Sequence, residues 1–391
     1  MYTPTQKTSA LVAKTHSIAH EVAALHAVDV DAKARFPQET VDALKQAKLL
    51  SAPVPKELGG AGSNLQELTA MCFTLAQGCA SSGMVLAMHL IQVACVVRHA
   101  EKDKYFESYM RELVEKQLLI GSVTSEVGVW GDTRTSICAV TRKDGKYLLD
   151  KDSSQASYAA LADDLLVTCR RNPDAPPSDQ VLVLVRKKDR TLTQNGVWDT
   201  LGMRGTCSPG YQLISSGPEE QILPGSFADQ SAQTMVSYSH ILWAGLWAGI
   251  AFDAVSRAGA SVRAEARKKP GTVPFKASHL AKLSVKLQTM RNDVQALATE
   301  FDRITELPNG REELLTIGWA LKMNNIKVAS SEAVHEIVHD ALQIIGLSGY
   351  KNDSKLSVGR HYRDALSASL MISNDRIFAK TASMLLVYKD E

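Results

Sequence analysis

The 391-residue sequence has no C-x-x-C pair, and its six cysteines, Cys72, Cys79, Cys95, Cys138, Cys169 and Cys207, are scattered without zinc-ribbon spacing. That excludes the disulfide frame of a small secreted domain and reads instead as buried thiols in a reducing compartment. Charge of one sign is lacking too. Lys+Arg 44 against Asp+Glu 42 leaves +2, which gives no basic footprint for nucleic acid. With 24 Gly and 13 Pro the chain is too poor in both to be fibrous, and at 45% hydrophobic it is too apolar for disorder. The longest apolar stretch, Trp243 to Phe252, is about half of the ~20 residues that cross a bilayer. The start, Met1 to Lys7, is polar and has no apolar signal core. The expectation is a soluble, uncleaved, cytoplasmic protein without membrane insertion, long enough for two or three domains.

What is present falls into three textures. Up to about Val114 the periodicity is helical. Phe36-Pro37-Gln38-Glu39 opens a helix through Val41, Leu44 and Leu49-Leu50; Pro53 to Gly62 is a loop; Asn64 is the N-cap of the next helix. Met84 to Val97 is apolar on nearly every side, the mark of a buried helix. From Leu118 to Leu223 short β-rich runs take over. Ile137 to Thr141 and Lys146 to Leu149 flank a Lys143-Asp144-Gly145 turn, and Leu165 to Thr168 and Val181 to Val185 follow. Beyond Phe227 helical periodicity returns almost to Leu386, interrupted near Lys269-Pro270-Gly271, Pro308-Asn309-Gly310 and Gly346 to Gly359. Gly245 and Gly249 inside that run suit close helix packing. A β-block between two α-blocks is an α+β (α-β-α) arrangement, not alternating βαβ, and no G-x-G-x-x-G follows any strand. The expected domains are 1–117, 118–226 and 227–391.

His335-Glu336-Ile337-Val338-His339 matches H-E-x-x-H, a zinc pair with a glutamate base when it lies on a helix. The residues after His339 do not extend the pattern, no third ligand is recognisable, and no metal is expected there. More specific is an ordered set of loops. Thr124-Ser125-Glu126 leads to Gly131-Asp132, Leu149-Asp150 leads through Gln155 and Ser157 to Ala162-Asp163, and Gly202-Met203-Arg204-Gly205-Thr206-Cys207-Ser208 follows. Gln343-Ile344-Ile345-Gly346-Leu347-Ser348-Gly349-Tyr350 then precedes Arg363-Asp364-Ala365.

Over nearly its full length the chain resembles the acyl-CoA dehydrogenase superfamily. The resemblance implies an N-terminal helical domain, a middle β-barrel-like domain and a C-terminal four-helix bundle, assembled as a homo-oligomer, a tetramer or dimer. It implies FAD between the β-domain and the C-terminal bundle, partly covered by a neighbouring subunit. By position in the family strings, the cofactor contacts are Thr124, Ser125, Gly131, Gln155, Ser157, Arg267, Gln343, Gly346 and Asn374. Ser125 and Ser157 stand where the family has threonine and keep the hydroxyl. Gln155 stands where it has the tryptophan beside the flavin ring, which loses a stacking surface. The implied activity is α,β-dehydrogenation of an acyl thioester on CoA or acyl-carrier protein, in fatty acid metabolism, with electrons passed to a partner protein.

Dehydrogenation needs a base for the α-proton, and the family supplies a glutamate. Counting from Arg363-Asp364-Ala365, that position is Ile372; the second family location reads Ser239-His240. Asp375, three residues past Ile372, and His240 are the candidate bases. The same fold also hosts flavin-dependent monooxygenases, which need no such base, and His89 on the apolar helix is a candidate near such a pocket. A catalytically degenerate subunit of a hetero-oligomer is the remaining reading.

Overall fold

The computed structural model describes residues 9–389 except 101 and 130; the polar start Met1 to Lys7 lies outside them. Six helices come first: α1 (Ala10–Ile18), α2 (Ala24–Ala32), α3 (Gln38–Gln46), α4 (Leu65–Gly78), α5 (Ala80–His99) and α6 (Lys104–Lys116). Seven strands follow among the described residues: β1 (Ile120–Val123), β2 (Thr141–Lys143), β3 (Lys146–Ser153), β4 (Asp164–Arg170), β5 (Gln180–Arg186), β6 (Arg190–Gln194) and β7 (Tyr211–Pro218). The C-terminal helices are α7 (Phe227–Gln230), α8 (Val236–Lys268), α9 (Lys276–Thr305), α10 (Gly310–Glu313), α11 (Ile317–Ile345), α12 (Leu347–Tyr350), α13 (Gly359–Leu366) and α14 (Asn374–Leu385).

Local chemistry places the helix ends. Asn64 accepts from the Glu67 N–H at 3.0 Å and starts α4, as its side chain and position imply. Pro37 sits at the N-cap of α3, and that helix stops at Gln46, short of Leu49-Leu50. The apolar run became α5, whose side chains from Ala80 to Val96 are almost all buried. By length and composition α5 and the Phe227–Lys268 stretch would each pass for a membrane span; here their most apolar segments are core, with 89% and 83% of the residues buried. A Cβ on Gly245 would lie 2.6 Å from Thr69 Cγ2, and one on Gly249 would lie 2.2 Å from the Phe73 carbonyl oxygen. Only glycine lets α8 approach α4 this closely, which makes α8 the spine shared by the helical regions.

The middle region is two separate sheets, not a closed barrel: β1-β4-β5, and β2-β3-β7-β6. β2 and β3 join through Asp144 and Gly145, both at positive φ, in the two-residue turn that Asp-Gly favours. Ile137 to Thr141 does not form the expected strand; apart from an Ala139–Arg170 bridge, pairing starts at Thr141. The reason is local. The Ile137 and Cys138 N–H groups donate to the buried Glu126 carboxylate, at 3.2 and 2.5 Å, so they are withdrawn from any ladder.

Two of the sequence strings meet at the joint between the regions. Asp364 accepts from the Met203 N–H at 2.6 Å, and a Cβ on Gly202 would lie 2.2 Å from the Arg363 carbonyl oxygen. Arg363 bridges outward to both oxygens of Asp31 on α2 and donates to the Leu201 carbonyl at 2.7 Å. These motifs hold the architecture together. Burial pushes the Asp364 carboxyl up to about 6 from 3.8. The folded state then binds the proton more tightly, so this stabilisation is full below about pH 4 and is lost as pH rises through 6. Asp364→Asn keeps an oxygen for Met203 but cannot titrate. Its stability relative to wild type is expected to rise between about pH 4 and pH 6. Urea midpoints at the two ends of that window check it; a constant difference would exclude Asp364 as the titrating group.

Candidate functional site

The β-region carries a shelf of hydroxyls. Ser125, just after β1, hydrogen-bonds Ser153 Oγ at 2.9 Å and the Gln155 carbonyl at 2.5 Å, and accepts from the Gln155 N–H at 3.1 Å. Ser157 accepts from Ser208 Oγ at 2.8 Å, and Ser208 Oγ lies 2.9 Å from Thr206 Oγ1. Gln155 and Ser208 share the wall of a cleft of about 470 Å³ with Asn195, Gly196, Trp198 and Gly210. Thr124 follows β1 half-buried beside this shelf. Trp198 is a residue that sequence reasoning missed. Its indole N–H donates to the Met203 carbonyl, and it places an aromatic face in the cleft that lacks one at Gln155.

Gly131 links that side to the C-terminal helices. It has φ +76, and a Cβ there would lie 2.4 Å from Arg376 Nη1 on α14. α14 is anchored by a buried clasp. Lys327, fully enclosed on α11, donates to the Ile372 carbonyl and to Asn374 Oδ1, both at 2.7 Å, and Asn374 Nδ2 donates to Ser331 Oγ at 3.0 Å. Lys327 also lies 5.9 Å from the Trp247 ring centroid. Burial lowers the Lys327 ammonium to about 8, which leaves it mostly protonated at neutral pH. The Asn374 amide thus serves the clasp, not an open surface. Ile372 is held at φ +53, a left-handed conformation costly for a β-branched residue, with its side chain 42% exposed.

Both candidate bases lie near this clasp, His240 within reach of the Lys327 charge and Asp375 next to Asn374 in the chain. His240, near the start of α8, is buried and donates Nδ1–H to the Met323 carbonyl at 2.9 Å, which leaves Nε2 as the unprotonated nitrogen. Burial first, with Lys327 and Lys380 adding repulsion, pushes it down to about 4. It is neutral at physiological pH and a feeble proton acceptor. Asp375 is exposed in the first turn of α14.

Arg267, Gln343 and Gly346 sit elsewhere. Arg267 is exposed in the last turn of α8, Gln343 is exposed in the last turn of α11, and Gly346 caps that helix at φ +73. Lys276 at the start of α9 donates to the Ile344 carbonyl at 2.7 Å, so the three helix ends gather at one end of the bundle. Sixteen residues of α11 separate Gln343 from Lys327, roughly 24 Å along the axis. One chain therefore presents two groups of expected cofactor contacts, not a single site.

The other histidines singled out by the sequence have plain surroundings. His89 donates Nε2–H to the Leu50 carbonyl at 2.8 Å and accepts from the Ile120 N–H at 3.0 Å, and burial pushes it down to about 4. Nε2 ties α5 to the loop after α3 and Nδ1 ties it to β1, so His89 is a satisfied buried histidine with no nitrogen left for a pocket. His335 and His339 face Tyr362, with ring centroids 5.4 and 6.1 Å away, and no cluster of metal-binding side chains occurs among the described residues.

Known proteins match this layout in order. Residues 5–117 match the acyl-CoA dehydrogenase N-terminal domain and residues 230–372 its C-terminal domain. The chain belongs to the acyl-CoA dehydrogenase family. An amino sugar nitrososynthase of Streptomyces peucetius is 24% identical, covering 88% of this chain and 84% of its own. A cyclohex-1-ene-1-carbonyl-CoA dehydrogenase of Syntrophus aciditrophicus is 23% identical, covering 98% and 91%. The crystal structure of an FMN-bound dibenzothiophene monooxygenase from a Paenibacillus species superposes with TM-score 0.84 at 19% identity, covering 98% of each chain. The family thus includes dehydrogenases and monooxygenases among this chain's relatives, and it is a family of flavin enzymes.

Proposed function

We propose that this family member is a flavin-dependent monooxygenase, acting through reduced flavin and oxygen instead of α,β-dehydrogenation. One observation carries the reading: no competent base stands where dehydrogenation needs one. Ile372 is a hydrocarbon, His240 is buried, neutral and pushed down to about 4, and Asp375 points to solvent. The intact Gly202–Ser208 and Arg363-Asp364-Ala365 strings do not favour dehydrogenation, because their side chains build the joint between regions. The named activities of the nitrososynthase and the dibenzothiophene monooxygenase support the same choice.

The size of the 470 Å³ cleft and its mix of hydroxyl, amide and indole groups fit a flavin ring. Gln155 and Ser208 on its wall, held in place by Ser125 and Ser157, would meet the polar edge and Trp198 the flat face. When bound, the reduced flavin supplies the electrons that activate oxygen. The protein's part is to orient the ring through these hydroxyls and to keep the Ile372 loop apolar and fixed through Lys327. We further infer that the cofactor is FAD, with Arg267, Gln343 and Gly346 of a second copy reaching its distant half, so the working unit is at least a dimer.

The purified protein is expected to be yellow and to release FAD on acid treatment. Ser157→Ala removes one hydrogen bond and is expected to weaken flavin binding about two- to tenfold by fluorescence titration. Under anaerobic conditions short-, medium- and long-chain acyl-CoAs should leave the flavin oxidised. Chemically reduced enzyme in ¹⁸O₂ should label an indole, sulfide or amino sugar substrate. Rapid bleaching by an acyl-CoA would refute the monooxygenase reading. A colourless protein that takes up no flavin would indicate the degenerate subunit.

A further inference from the structure

A second cleft, of about 410 Å³, opens between α2, Arg204 of the Gly202–Ser208 string, Arg257 on α8 and the start of α13. Four guanidiniums line it, Arg204, Arg257, Arg360 and Arg363, against a single carboxylate in the wall, Asp31. Three of the four have acidic partners: Arg257 with Asp253, Arg363 with Asp31 and Arg204 with Asp199. Arg360 has no carboxylate within ion-pair distance among the described residues; its Nη2 donates to the Gly78 carbonyl at 3.3 Å. Arg360 and His361 also occupy the first turn of α13, where the helix dipole favours an anion.

The second observation is His361. It lines the cleft and is only 4% exposed. Its Nε2–H donates to Asp253 Oδ2 at 2.7 Å, while Nδ1 is enclosed with no partner. Orphaned buried polar atoms are rare and call for an explanation. Burial holds the imidazole below its ordinary value, so with Nε2 as donor Nδ1 carries a lone pair. What it lacks is a hydrogen-bond donor, while Arg360 beside it lacks a carboxylate partner.

We propose that this cleft binds a phosphate that also bears a hydroxyl, either hydrogen phosphate itself or a hydroxylated phosphate ester of sugar-phosphate size. The oxygens meet Arg360 and the start of α13 in charge-assisted hydrogen bonds, and the hydroxyl donates to His361 Nδ1. The cleft is large enough for a sugar beyond the phosphate. The site is separate from the hydroxyl shelf and does not depend on the monooxygenase reading.

Calorimetric titration of the flavin-loaded protein tests it, with inorganic phosphate, ribose 5-phosphate and sulfate as probes. One phosphate per chain is expected, and sulfate, which has no hydroxyl, should bind about tenfold or more weakly. Ribose 5-phosphate binding tighter than phosphate would identify the ester as the ligand; the reverse order would identify the free ion. Arg360→Gln should weaken phosphate about tenfold or more, and Asn352→Leu on the cleft wall should weaken ribose 5-phosphate. Lys146→Gln on the distant β2–β3 hairpin should change neither. The proposal is overturned by no phosphate uptake, by sulfate binding as tightly, or by affinity that survives both cleft substitutions. It is also overturned if poly-glutamate binds while phosphate does not, which would assign the face to an acidic protein.

Discussion

Ile372→Glu is expected to make the flavin of this protein bleach with acyl-CoA about 10²–10⁴ times faster than wild type, the usual worth of a placed general base. The argument is local. The residue's carbonyl is pinned by Lys327 at 2.7 Å, so the backbone is already fixed, and only the side chain is chemically inert. The side chain is 42% exposed, so a carboxylate there does not incur the cost of full burial. The left-handed backbone at φ +53 also penalises β-branched isoleucine more than unbranched glutamate. The Lys327 ammonium nearby favours the ionised carboxylate. Anaerobic stopped-flow absorbance with a saturated acyl-CoA reads the rate directly. A wild type that already bleaches rapidly would mean the base lies elsewhere, and His240→Ala and Asp375→Ala would then separate the two remaining candidates.

The largest stability loss is expected at Glu126. Glu126→Ala should cost about 3–5 kcal/mol, because it strands the Lys151 ammonium in the interior. The pair is 3.4 Å apart, with side chains 4% and 0% exposed. Glu126 also accepts from Ser136 Oγ and from the Ile137 and Cys138 N–H groups, so its removal orphans two backbone donors, while Ser136 Oγ keeps the Cys138 carbonyl at 3.1 Å. Among the described residues Lys151 then retains Thr168 alone, through its carbonyl at 2.6 Å and its hydroxyl at 3.2 Å. Adding Lys151→Met to Glu126→Ala should recover a large part of the loss, since the uncompensated charge is gone. Urea unfolding of the four proteins in this cycle gives the coupling. Additive losses would show that the ion pair contributes nothing and that the backbone donors carry the whole effect.

Legibility differed by range of interaction. The Asn64 cap, the Asp144-Gly145 turn and the buried α5 were readable because each depends on a few neighbouring residues. Ile137 to Thr141 misled for the opposite reason. Its β-branched pattern is local, but Glu126, eleven residues away from Ile137, takes the N–H groups a strand would need. His89 and His240 looked alike as candidate chemistry on apolar helices. Only the structure shows one with both nitrogens engaged and the other with one free. Trp198 and Lys327 escaped notice because nothing near either in sequence marks it; their partners are a cleft wall and a loop 45 residues downstream.

The order of helical and strand periods, the close helix packing at Gly245 and Gly249, and the hydrocarbon at Ile372 follow from sequence alone, since each is a property of residue type and spacing. Tertiary structure decided which polar groups face one another. The Gly202 and Arg363-Asp364 strings became a joint because 161 residues of chain fold back to place Asp364 on the Met203 N–H. The expected cofactor contacts separated into two groups because α11 is a rigid rod with Lys327 in its first half and Gln343 at its end. Burial decided the protonation of His240, and it left His361 Nδ1 enclosed without a donor. Desolvation depends on everything packed around a side chain, and no linear pattern records that.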